Sequence, residues 1–331
     1  MTIALQEYVD KFIKNKSVLE TFFKEENKQV YPICAMLFQN ATSIITQEKL
    51  KECSKLIDDC VGRFSNFRSD CKMVLVSMLA RNTEPQIAIE KALTIYNELK
   101  NSFTSSSFLP VAALLLAERT EGEDYIEISQ KSLEIYKKMR GFYPNITSIE
   151  DVVYIILLAA SDRNVDEICT EIKMGFDDFC MKKLSENTKQ DLSFSLTLLN
   201  GNIQNKCEKL SSFYKVIKSK GCKFGDEHEV STLGILANIS ENQENLVDKM
   251  LEIDEILKCQ KGYGFFGYTN RERMLQVGEL VINQEINQIE KKAFENEFIS
   301  DNKSDDKIEK NIKEVYEAVV IVTAMVIIAK K

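Results

Sequence analysis

The sequence predicts an all-α fold: a right-handed αα-hairpin repeat, solenoid-like, of about seven helical pairs closed by an apolar C-terminal helix. Three observations carry that expectation. Tyr96, Tyr136, Phe176, Tyr214 and Asp254 sit at the same place in successive amphipathic segments, 40, 40, 38 and 40 positions apart by subtraction. Ile57 lies 39 positions before the first of them and Phe294 lies 40 after the last. Each segment follows a shorter apolar run, closing at Leu79-Ala80, Leu116-Ala117, Leu158-Ala159, Leu199 and Leu236-Ala237. Finally, only 12 Gly and 4 Pro occur in 331 residues, which leaves few sites for the tight turns of a β protein. A fixed period of this length marks supersecondary units that cannot bury their apolar faces alone.

Taken in order, residues 1–27 read as an N-terminal cap, with Leu5, Tyr8, Val9 and Phe12 at helical spacing. Tyr31 to Phe38 opens the first regular unit, where Pro32 is tolerated in a first helical turn. Thr46 is the expected N-cap of the next helix and Thr83 that of the helix opened by Pro85. Pro110 reopens a helix after the polar link Thr104 to Ser107. Ser148 with Asp151 and Ser240 with Gln243 have capping-box spacing. Val152 to Leu158 has no polar interruption, and a helix apolar on every side must be buried on every side, which assigns the shorter helices to the interior. The repeat domain is expected over 1–298, a charged linker over 299–313, and an apolar helix over 314–331. The run Ala318 to Ala329 would rise only about 18 Å as a helix, against about 30 Å of bilayer hydrocarbon. Burial against the repeat domain is therefore expected ahead of membrane insertion through Val315 to Ala329.

The formal charge of −8 argues against a protein that grips phosphate backbones, so no nucleic-acid partner is expected. Nine cysteines, Cys34, Cys53, Cys60, Cys71, Cys169, Cys180, Cys207, Cys222 and Cys259, include no Cys-x-x-Cys pair. With no secretory leader in MTIALQEYVDKF they read as reduced, mostly buried thiols of a cytoplasmic protein. His228 is the only histidine, so neither a metal site nor a Cys–His nucleophile is expected.

No phosphate loop, nucleophile elbow or zinc-protease motif is present, and no catalytic residue or cofactor is assigned. The acid pairs Asp58-Asp59, Asp177-Asp178 and Asp305-Asp306 read as solvated helix faces. Gly262 to Gly267 only superficially resembles a glycine-rich phosphate loop, since no strand precedes it. The residue types that dominate binding surfaces, aromatics beside arginines, occur twice. Phe67 and Arg68 form one group; Tyr263, Phe265, Phe266, Tyr268, Arg271 and Arg273 form the other. The same residues could equally wedge loops between repeats.

The segments FSNFRS (Phe64 to Ser69), YPNITSIEDVVYIILLAASDRNVDE (Tyr143 to Glu167) and KGYGFFGYTNRERMLQVGELVI (Lys261 to Ile282), with the repeated LEIYKKM-like helices, resemble the bacterial family catalogued as domain of unknown function 4003. The resemblance covers nearly the whole chain and implies an all-helical protein, with no activity or catalytic residue to carry over. The expectation for function is a non-catalytic repeat module that binds a protein or peptide on a concave face. The alternatives are an enzyme or small-molecule sensor with a pocket enclosed between helices, and a peripheral membrane protein held by its C-terminal segment.

Overall fold

The computed structural model describes residues 3–24, 26–177, 184–222, 224–225, 229–240, 242–264, 267–297 and 303–329. Among these residues the regular structure is helical throughout. It comprises α1 (Ile3–Phe22), α2 (Val30–Met36), α3 (Gln47–Cys60), α4 (Lys72–Arg81), α5 (Pro85–Ser102), α6 (Phe108–Ala117), α7 (Tyr125–Phe142) and α8 (Val152–Ala159). Then follow α9 (Val165–Asp177), α10 (Glu186–Leu198), α11 (Ile203–Ser219), α12 (Val230–Ile239), α13 (Gln243–Lys258), α14 (Asn270–Glu297) and α15 (Lys303–Ala329). The chain divides into two compact units, Met1–Lys14 with Lys173–Val320, and Asn15–Ile172 with Ile321–Lys331.

In the second unit α3 packs against α4 and α5, α4 against α6, α5 against α6 and α7, and α8 against α6 and α7. The short helices are the interior, as their unbroken apolar runs require: every residue of α6 and of α8 is buried, as are Met73 to Ala80 in α4. The long helices bury one stripe. In α3 only Leu50, Cys53 and Ile57 are buried, spaced three and four residues apart.

Two similar polar ties lie 40 positions apart. Lys91 in α5 donates to the carbonyl of Thr120, just past α6, and Lys131 in α7 donates at 2.5 Å to that of Ser161, just past α8. Arg81, at the end of α4, bonds Glu118 at 2.7 Å.

In the first unit α12 lies against α10, α11 and α14, while α13 lies against α11 and α14. Gly278 permits the α12–α14 approach, since a Cβ there would come within 3.0 Å of Phe224 and 3.2 Å of Thr232. The helix α15 is one continuous element from Lys303, so 303–313, expected as a linker, is helical; 298–302 lie outside the described residues. The physical reason is legible in retrospect. Ile308, Ile312, Val315 and Val319 continue the helical period backwards from the apolar segment. Val315, Tyr316, Ala318 to Met325, Ile327 and Ile328 are all buried, and no helix among the described residues is long and apolar enough to cross a membrane.

Several helix starts follow the sequence reading and two do not. Thr46 accepts from the Lys49 amide, and Ser148 with Asp151 forms a reciprocal capping box. Thr83 does not cap α5: Glu84 holds the N-cap position and Asn82 takes its amide at 2.8 Å. Asn242, not Ser240, caps α13 by accepting from Asn245 at 3.1 Å. In both places an asparagine, a stronger or equal cap former, stood within two residues of the expected one.

Candidate functional site

The residues singled out from sequence fall into two groups, one in each unit. In the second unit, Ser65 accepts from the Phe67 amide and starts a short 3-10 turn over Asn66–Arg68. Phe67 points inward, fully buried, with its ring edge-on to Tyr96 at 5.1 Å between centroids. Asn66 reaches the link beyond α5, donating to Tyr96 (3.2 Å), Ser105 (2.7 Å) and the Ser106 carbonyl (3.0 Å). Arg68 and Lys72 converge on Asp58: Arg68 Nη2 donates to its carbonyl at 2.5 Å, and Lys72 bonds its carboxylate at 2.8 Å. This turn ties α3 to α5 and to the link that follows α5.

In the first unit the glycine-rich segment is a compact loop folded on itself. Gly262 adopts φ 91°, and its carbonyl accepts from the Tyr268 amide at 3.0 Å. A Cβ at position 267 would stand 1.8 Å from that same carbonyl, so only glycine fits there. Gly267→Ala is expected to destabilise by about 1–3 kcal/mol, because the obstructing atom belongs to the backbone and cannot rotate away. A urea titration checks this; an unchanged midpoint contradicts the close approach.

Tyr263 and Tyr268 are buried with ring centroids 5.0 Å apart, and Tyr263 donates to Gln276 on α14. Arg273 is buried and bonds the buried Asp254 at 2.5 Å. Arg271 bonds Glu229, itself buried, at 2.5 Å. Phe265 and Phe266 lie outside the described residues. Phe67, Tyr263, Tyr268 and Arg273 are therefore turned into the fold, whereas the Arg68 and Arg271 side chains stay partly exposed, 28 % and 37 %, each held by a carboxylate. Sequence cannot distinguish the two cases, because an aromatic ring beside an arginine is as useful for closing a core as for receiving a partner.

The structure reveals two arrangements that the sequence reading did not find. The first is a cleft of about 340 Å³ in the first unit, at the start of α11. Its lining includes Asn200, Asn202, Asn205, Lys209, Asn238 and Asn311. Asn202 caps α11, accepting from the amides of Gln204 (2.9 Å) and Asn205 (3.3 Å). Asn311, on α15, donates to the Leu198 carbonyl at 3.0 Å and accepts from the Asn200 amide at 2.9 Å, so α15 forms one wall. Lys206 lies buried beneath, donating to the carbonyls of Leu196 (2.6 Å) and Leu199 (2.8 Å) where α10 ends. The exposed side chains of Asn200 and Asn205 make no hydrogen bond within the chain. Three asparagines within 200–205 were the available signal.

The second arrangement is a polar stripe on the buried face of α14: Gln276, Glu279 and Asn283, each at most 1 % exposed. Thr232 on α12 donates to Glu279 Oε1 at 2.6 Å, while Glu279 Oε2 is buried without a hydrogen-bond partner. Burial raises the Glu279 carboxyl to about 8, opposed by the Thr232 hydrogen bond. Tyr316 of α15 donates to the Glu279 main-chain carbonyl at 3.2 Å, and its own hydroxyl is held well above 10, chiefly by burial. Tyr8 of α1 meets the Leu280 carbonyl at 3.0 Å and Asn283 at 2.9 Å. The signal was three polar residues at spacings of three and four inside MLQVGELVINQEI.

Neither arrangement holds a nucleophile or a metal-binding set. Among the described residues no cluster of three His, Cys, Asp or Glu could hold an ion, and His228 lies outside them. Six of the eight described cysteines are buried, and burial lifts Cys34 and Cys71 to about 12 and Cys53 and Cys169 to about 11, far from thiolate chemistry. Of the acid pairs, Asp58 is engaged by Arg68 and Lys72, and Asp177 by Lys173 at 2.7 Å. Asp178 and the side chains of Asp305 and Asp306 fall outside the description.

No curated protein and no solved structure matches this chain. The model of one protein family, described as protein of unknown function (DUF4003), matches residues 15–323, nearly the entire chain, and the protein belongs to that family.

Proposed function

We propose that this protein is a helical-repeat interaction module, an αα-solenoid whose first unit binds an extended peptide segment of a partner protein in the asparagine-lined cleft. The single observation that carries the reading is that cleft. Its exposed walls offer primary amides, each with a donor and an acceptor side, and these are the groups that pair with a peptide main chain irrespective of its side chains. Asn200 and Asn205 have that capacity to spare. The repeat reading is supported by helices that contact both the next and the next-but-one element in chain order, and by the recurrence of the Lys91 and Lys131 ties 40 positions apart. A non-catalytic role agrees with the chemistry of the groups present: the one strongly perturbed carboxyl among the described residues, Glu279, is fully buried. A reducing cytoplasm suits the buried, unpaired thiols.

The test is selection from a displayed random-peptide library. The wild-type protein should enrich a peptide family, and the double variant Asn200→Arg/Asn205→Arg should weaken binding of those peptides at least about tenfold, or about 1.4 kcal/mol. Both substituted side chains are exposed and unbonded within the chain, so the melting temperature should not change. A library that enriches nothing on the wild type, or peptides held equally by the variant, overturns the reading.

A further inference from the structure

The cleft and the buried stripe are joined by one helix. Asn311 on α15 holds the cleft wall to Leu198 and Asn200; five residues on, Tyr316 seats the same helix on the main chain of Glu279, and Lys313 bonds Glu290 of α14 at 2.7 Å between them. We propose that Glu279 is a proton-dependent latch: neutral, it keeps α15 seated on α14, and its ionisation unseats the α15 wall and opens the cleft. This regulatory role rests on the peptide-binding reading for its biological meaning, though not for its physics.

Among the described residues, the geometry leaves an ionised Glu279 with no cation to balance it. Of the elements around it, α12 presents only the neutral Thr232 hydroxyl, since Glu229 at its start is occupied by Arg271. From α13, Asp254 is bound by Arg273 and Lys258, and Lys249 by Glu285. From α1 comes the Tyr8 phenol, and from α15 the Tyr316 phenol with Glu317 beside it in sequence, a further negative charge that acts on Tyr316. On α14 itself Gln276 and Asn283 are uncharged amides. No cation pairs with Glu279 among the described residues. A buried carboxylate in such surroundings is strongly disfavoured, and the system escapes by staying protonated or by opening.

The pH window follows from the folded value of about 8 against an ordinary carboxyl value of 4.5. Between these the folded state binds the extra proton, so the latch contributes its full stability below pH 4.5, and that contribution is lost as pH rises through about 8. The cleft wall therefore loosens progressively as pH rises towards about 8 and no further above it.

Amide hydrogen exchange on the full chain, without any peptide and corrected for intrinsic exchange at each pH, tests this between pH 6.5 and 9.5. Residues 311–320 should lose protection progressively up to about pH 8 and level off above it in the wild type, and should show no such loss in Glu279→Gln. Thr232→Val removes the bond that favours the ionised form, so it should move the pH at which the loss levels off upward. A wild type protected through pH 9.5, or a Glu279→Gln variant that loosens at the same pH, overturns the latch. If that variant does not fold, an unshifted levelling-off in Thr232→Val does so. Because no peptide enters the measurement, failure of the latch and failure of the peptide-binding reading are separately visible.

Discussion

Arg273→Met lowers the free energy of unfolding by about 3–5 kcal/mol, towards the lower end of that range, because it strands a charge inside the first unit. The Arg273 and Asp254 side chains are 9 % and 7 % exposed and meet at 2.5 Å. With the guanidinium gone, Asp254 keeps only the ammonium of Lys258, 2.8 Å away on a side chain that is 42 % exposed. That residual partner softens the loss without abolishing it. The pair is also an exception to the sequence spacing: Asp254 stands 40 positions after Tyr214, in the series that Tyr96, Tyr136 and Phe176 otherwise fill with aromatics. Exchanging both partners for apolar groups removes the stranded charge, so Arg273→Met/Asp254→Leu should recover most of the loss. The urea midpoints of the two variants decide it. A single variant within about 1 kcal/mol of wild type would show that the pair is solvated and not buried.

Phe67→Ala is the second large effect, expected at about 3–5 kcal/mol from lost transfer energy plus the cavity left behind. Phe67 has no exposed surface, and its edge-on packing with Tyr96 joins the turn after α3 to the helix α5. The neighbouring bonds of Asn66 to Ser105 and Ser106 fix the backbone around it, so the site cannot collapse to fill the hole. Phe64, three residues earlier and 97 % exposed, is the control: Phe64→Ala should change stability by less than about 0.5 kcal/mol. If the two phenylalanines cost the same, the inward assignment of Phe67 is mistaken.

Phe64 and Phe67 also show where sequence reading stops. Both are aromatics in one loop, each beside an arginine, and nothing in their order says which is buried. The same holds for Tyr263 and Tyr268, which looked like surface candidates and are core. The candidate cleft escaped notice for a different reason. Its asparagines come from 200–205, from 238 and from 311, and only folding brings the last two to the first three.

By itself the sequence determined the helical class, the alternation of fully apolar and amphipathic helices, and the near-constant spacing between equivalent anchors. These follow from local periodicity and from transfer of apolar groups out of water, which act on neighbours along the chain. Only the tertiary structure decided which aromatics face inward, that residues 303–313 join the last helix, and that Glu279 sits without a cation among the described residues. Those depend on contacts across 30 to 113 positions, as in Asn66 with Tyr96 and Asn311 with Leu198, whose partners no local pattern specifies.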